Sequence, residues 1–219
     1  MSKDVLVLAE RAGDRLALVS SELCGVGRKL AGETGGKLAA VLLGGPGTQE
    51  LAKGLIALGA DKVIAAESEH LKGYTNTLYT QVIDAAVGQV SPAIFLVANT
   101  AVGRDVAPRI AFRRGASYFH DCTELSVEGG KLTSVRPVYG GSAVSHVRSR
   151  TEALAVASAR PKAFSMADVQ QGRTGELSTL EVKVEAGAVQ MSFVETKRVE
   201  AEGVRLEDAE IVVSGGRGL

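Results

Sequence analysis

The chain has 219 residues, 45% of them hydrophobic and 23% charged, with 25 lysines and arginines against 25 aspartates and glutamates. That composition excludes a wholly disordered chain, and a zero charge balance argues against a nucleic-acid binder, which needs a basic face to neutralise phosphates. The two cysteines, Cys24 and Cys122, are too few for a disulfide framework and read as reduced core thiols.

The N-terminus, Met1-Ser2-Lys3-Asp4, runs directly into a strand and shows no charged leader followed by an apolar stretch. It reads as a cytoplasmic protein, the alternative being a mitochondrial matrix chain already stripped of its targeting peptide. The apolar runs are too short to span a bilayer, so no membrane insertion is expected. Val5–Ala9 is a continuous apolar run, as in strands buried on both faces. A helix follows over Leu16–Glu33, where Leu16, Val19, Leu23, Val26 and Leu30 recur at three- and four-residue steps. Gly25 and Gly27 weaken it, since glycine costs about 1 kcal/mol against alanine inside a helix. Lys37–Leu43 is the next strand, and Gly44-Gly45-Pro46-Gly47 is a loop. Thr48 is the expected N-cap of a helix that Gly59 closes. Lys62–Ala66 is a third strand, Thr75–Val90 a third helix, Ala93–Ala98 a fourth strand and Thr100–Arg114 a fourth helix. Alternation of this kind predicts an α/β fold with a mostly parallel, Rossmann-like sheet, helices on its faces and right-handed crossovers.

The second half changes character. Thr123–Glu128, Lys131–Tyr139 and Ser142–Arg150, separated by Gly129-Gly130 and Gly140-Gly141, read as added antiparallel strands. Pro161 ends that run, and Gln170–Gly175 is a loop. Leu177–Val184 and Val189–Val194 read as further strands. Residues 195–208 are charged and read as a linker. Glu210–Val213 reads as a new buried strand running into the turn Ser214-Gly215-Gly216-Arg217. The domains are therefore drawn as 1–194, a linker 195–208, and 209–219 as the start of a second domain.

That last turn carries the clearest chemistry. A glycine turn after a strand lets backbone N–H groups approach a phosphate, because no side chain blocks them. Arg217 adds a permanent cation of fork geometry. Asn99 and Thr100 close a strand at the end where doubly wound sheets bind ligands. Gly103-Arg104-Asp105 falls in the following helical turn, where Arg104 and Asp105 are expected to pair. Arg136 is extended by Pro137, and Tyr139 is expected to pack over the Gly140-Gly141 turn. His120 and Asp121, adjacent in a strand, point to opposite faces and make no acid–base pair. His70 and His146 read as surface residues. No nucleophile elbow, P-loop or G-x-G-x-x-G motif is present. No catalytic residue and no metal site are expected.

Three segments resemble the alpha subunit of electron-transfer flavoproteins: Val97–Cys122 (VANTAVGRDVAPRIAFRRGASYFHDC), Ser134–Ser142 (SVRPVYGGS) and Val212–Leu219 (VVSGGRGL). His120 and Ser142 depart from the family pattern. The resemblance covers nearly the whole chain and implies an N-terminal scaffold followed by the opening of an FAD-binding domain. It implies that Arg217 lies against FAD, positioned by Ser214, Gly215 and Gly216. It implies a heterodimer with a beta subunit that holds AMP or a second FAD. It further implies electron transfer from acyl-CoA or other flavin dehydrogenases to a quinone oxidoreductase or another acceptor, the chain being an electron carrier rather than a stand-alone catalyst. The alternative is a stand-alone nucleotide-binding or regulatory module on the same fold.

Overall fold

The computed structural model describes residues 2–151, 153–183, 191, 193–195, 209 and 211–218. Its strands are β1 (Val5–Ala9), β2 (Arg11–Ala12), β3 (Arg15–Leu16), β4 (Leu38–Gly44), β5 (Lys62–Glu67), β6 (Ile94–Ala98), β7 (Ser117–Cys122), β8 (Glu124–Glu128), β9 (Lys131–Val138), β10 (Ala143–Arg148), β11 (Ala155–Ala159) and β12 (Glu176–Thr179). The α-helices are α1 (Leu18–Thr34), α2 (Thr48–Ala57), α3 (Asn76–Val90) and α4 (Ala101–Arg114).

Seven strands form the main sheet in the order β12-β5-β4-β1-β6-β11-β7, and every pair in it is parallel. Side-chain alternation explains why β1, β4 and β6 read as unbroken apolar runs. Val5, Val7 and Ala9 join one core with α1 and α2, while Leu6 and Leu8 join the other with α3 and α4. The first three strands build outward from β1, and the chain then returns to lay β6 on the other side of β1. The crevice between the carboxyl ends of β1 and β6 is therefore the topological switch point.

The expected α/β class holds, and differences appear where polarity hid the strands. β7 is half-polar and β11 is built of small residues, so neither stood out. Gly25 and Gly27 of α1 are packing requirements: a Cβ on Gly25 would lie 2.6 Å from the Ser165 carbonyl oxygen, and one on Gly27 2.8 Å from Leu38 Cδ1. The N-cap of α2 is Gly47 at φ 84°, not Thr48, which is fully buried in the first turn. The expected strand Leu177–Val184 shortens to β12. The expected strand Val189–Val194 lies largely outside the described residues, as does the linker 195–208. Residues 211–213 form no strand; Ile211, Val212 and Val213 are 84%, 53% and 93% exposed, and among the described residues no strand pairs with them.

β8, β9 and β10 form a separate antiparallel sheet. Leu125 and Leu132 anchor it on the α1 side of the main sheet. A third, two-stranded piece pairs β2 with β3.

Candidate functional site

The carboxyl-end face is where this fold would hold a ligand, and its groups are largely bonded to one another. Glu10 follows β1, and Thr100 caps α4. The Thr100 hydroxyl donates to Glu10 Oε1 at 2.7 Å and accepts from the Gly103 amide at 3.1 Å. That bond ties together the two lips of the switch point. Gly103 is required there, because a Cβ would stand 1.9 Å from the Ala98 carbonyl oxygen. Burial pushes the Glu10 carboxyl up, against the lowering effect of the Thr100 hydroxyl.

A cavity of about 570 Å³ lies beside this contact, lined in part by Glu10, Arg11, Gly45, Lys72, Tyr74 and Tyr79. The glycine loop before α2 does not offer it amides in the manner of a phosphate cradle. Arg11 Nη1 fills the loop, donating to the Gly45 and Pro46 carbonyls at 2.9 and 3.3 Å and to Thr48 Oγ1 at 2.7 Å. Thr48 Oγ1 in turn donates to the Gly45 carbonyl at 2.6 Å. The loop thus turns acceptors inward around an internal cation. The cavity wall thus carries Arg11 and Lys72 together with Glu10, and the Arg11 guanidinium is engaged by the loop carbonyls.

A second cluster sits at the carboxyl ends of β6, β11 and β7. The Asp121 carboxylate accepts from Asn99 Nδ2 at 2.7 Å and from Arg160 Nε and Nη2 at 3.0 and 2.5 Å. The Arg160 bonds hold its carboxyl below the usual range, with Asn99 assisting. Asp121 has φ 55° and lies where the β7–β11 register shifts, so strict alternation breaks there. Its amide donates to Ser158 Oγ at 2.9 Å, and His120 Nδ1 stands 3.5 Å from the same oxygen and 3.2 Å from the Tyr118 hydroxyl. His120 and Asp121 therefore meet around Ser158, although neither hydrogen-bonds the other.

Asp105 pairs with Arg109 and the Tyr74 hydroxyl, at 3.0 and 2.6 Å, and not with Arg104. The helical spacing of four residues favours Arg109, while Arg104 Nε turns back to the Thr100 carbonyl at 3.3 Å. The Tyr74 bond is the main reason the Asp105 carboxyl is lowered. Tyr139 does not pack over its turn; it is 86% exposed. Burial raises the thiols of Cys24 and Cys122 to about 12 and 11.

Ser214, Gly215, Gly216 and Arg217 are exposed, the turn itself falling at Arg217 and Gly218, remote from these clusters in sequence. A Cβ on Gly216 would meet nothing within 4 Å, so the backbone is open to an approaching group. An open backbone beside a guanidinium suits an anionic group in general, and an exposed segment makes no enclosure for a ring system. Among the described residues no group of three or more His, Cys, Asp and Glu is arranged to hold a metal ion, and no helix is long and apolar enough to cross a membrane.

Sequence reasoning placed Thr100 at its strand end but missed Glu10, Arg11 and the Asp121–Arg160 pair. The one local signal was a charged pair, Glu10-Arg11, directly after a fully apolar strand.

These features define a doubly wound α/β scaffold whose switch point is bridged by the Thr100–Glu10 bond, with an open cavity beside it. The chain belongs to the electron transfer flavoprotein domain family, whose model matches residues 5–185. It is 34% identical over 219 residues to an electron transfer flavoprotein subunit alpha of Megasphaera elsdenii, covering 99% of this chain and 64% of the relative. It is 34% identical to the subunit of the same name from Bacillus subtilis (strain 168), covering 100% of this chain and 66% of the relative. A protein FixB of Clostridium saccharobutylicum is also 34% identical, with 99% and 65% covered. The chain thus spans somewhat under two thirds of the length of these relatives.

Proposed function

We propose that this chain is the scaffold portion of an electron-transfer flavoprotein alpha subunit. The observation that carries the reading is the family match across residues 5–185, together with its relatives' names. Bound FAD would supply the electron-accepting chemistry. The chain's own contribution is positioning: Ser214, Gly215 and Gly216 present open backbone, and Arg217 a cation, to the FAD phosphates. The Thr100–Glu10 bond across the switch point supports a scaffold role for residues 1–194, with AMP or a second FAD left to the beta subunit.

On this reading the complete protein pairs with a beta subunit and shuttles electrons from acyl-CoA or other flavin dehydrogenases to a quinone oxidoreductase or comparable acceptor. It acts as a carrier rather than a stand-alone catalyst. The bacterial sources of its relatives favour the cytoplasm over the mitochondrial matrix.

The test is a visible absorption spectrum of the full-length chain co-purified with its companion subunit. Flavin bands that weaken when Arg217→Ala is introduced are expected. A colourless complex would overturn the reading, and unchanged flavin occupancy in the variant would remove the role given to Arg217.

A further inference from the structure

β10 is the outer strand of the small sheet, and among the described residues no strand pairs with its far side. The Ser149 amide donates to the Leu132 carbonyl at 2.9 Å, which sets the phase of the ladder. Hydrogen-bonded pairs alternate in an antiparallel sheet. Val147, Ser145 and Ala143 therefore face β9, opposite Ser134, Arg136 and Val138. Val144, His146 and Arg148 turn their amides and carbonyls outward. The pairing of Val144 with Pro137, which has no amide to donate, agrees with this phase.

Proteins usually guard such an edge with charged side chains, proline, a bulge, a very short strand or a cover; Arg148 is the one permanent charge on β10. β10 runs for six residues in unbroken register, without proline. Val144 and Val147 are 59% and 41% exposed on it. Within the β9–β10 hairpin the charge is one-sided. From Gly129 to Thr151 there is no acidic residue, while Lys131, Arg136, Arg148 and Arg150 are basic. Among the described residues Arg136, Arg148 and Arg150 take part in no ion pair. In a chain of zero net charge this is a local excess.

We propose that β10 is a docking edge for an acidic β-strand of the companion subunit, an inference that rests on the reading of this chain as one member of a heterodimer. The incoming strand completes the ladder at Val144, His146 and Arg148, and its carboxylates meet the unpaired arginines. A second copy of this chain is disfavoured, because it would bring two basic edges together.

The experiment compares amide exchange across residues 143–148 in the full-length chain alone and in its complex with the companion subunit. It is repeated with Val144→Pro, which removes an outward amide but no bond to β9, and with Arg148→Glu. The expected result is at least ten-fold protection in the complex and at least ten-fold weaker association for each variant, with the melting of the isolated variants unchanged. A flavin-containing complex whose β10 amides exchange at the free rate would overturn the docking edge and leave the subunit reading intact. Recovery of no companion subunit would sink the reading beneath it. A homodimer of the isolated chain that Val144→Pro dissolves would identify a second copy as the occupant and overturn the acidic partner.

Discussion

The two larger sheets of this protein are built on opposite terms. In the seven-stranded sheet, β1, β4, β6 and β11 are buried throughout, and cores on both faces exclude water. In the three-stranded sheet β10 is largely exposed along its length. The contrast separates residues that hold the fold together from residues that are free to do something else. Thr100, Glu10, Asp121 and Arg160 at the carboxyl ends of the main sheet belong with the first set, since they spend hydrogen bonds on one another, while the buried Asn99 Oδ1 has no partner.

The comparison is broken most directly in the core. Leu96→Ala, at a fully buried position of β6, is expected to destabilise the chain by roughly 2–5 kcal/mol, read from the urea midpoint. Asp121→Ala leaves Asn99 Nδ2 and the Arg160 guanidinium without their acceptor, and a loss of about 1–3 kcal/mol is expected in the same assay. An effect below a few tenths would place that cluster with the free surface instead.

Acidity sharpens the division. Asp105 and Asp121 are held low chiefly by Tyr74 and Arg160 respectively. At Asp61 burial raises the carboxyl, but the Leu38 amide with Arg28 and Arg173 outweighs it. Carboxyls depressed by folding stabilise above their unfolded value, near 4, and lose that contribution as pH falls through the lower folded value. Glu10 is shifted the other way: its ionised form is disfavoured in the folded state, so its penalty grows as pH rises above the unfolded value. Glu10→Gln, which retains an acceptor for Thr100, is therefore expected to raise the denaturation midpoint at pH 7 and to bring little gain at pH 4. A loss at pH 7 would mean that the charge itself holds the switch point closed. The smallest effect belongs to the open sheet: Val147→Ala is expected to change the stability of the isolated chain by no more than about 0.5 kcal/mol.

Much of the fold was legible because burial on both faces writes itself as an apolar run. β1, β4, β5 and β6 and the helices between them were readable for that reason. β7 (SYFHDC) lies at the sheet edge and mixes polarities, while β11 (AVASA) is buried but built of small residues without strand-forming bulk. Neither follows from pattern alone. The carboxyl-end clusters were less legible still. Thr100 could be read as a cap, because capping is local. Its bond to Glu10 joins residues 90 apart, and Arg11 reaches Thr48 across 37. Such contacts exist only once the strands are ordered in space.

The β7–β11 connection has one further consequence. These strands are parallel neighbours, so the chain leaving β7 must travel back along the sheet before β11 begins. In most parallel pairs a helix makes that return journey. A helix satisfies its own backbone along its middle, so it arrives with nothing left to share. Here β8, β9 and β10 make the journey instead. An open sheet leaves outward groups on both of its outer strands: those of β8 meet Lys29 and Glu33 of α1, and those of β10 meet no further strand among the described residues. The outward groups of Val144, His146 and Arg148 are thus the remainder of a detour made in strands, and replacing that detour by a helix would have closed the sheet equally well while erasing the edge.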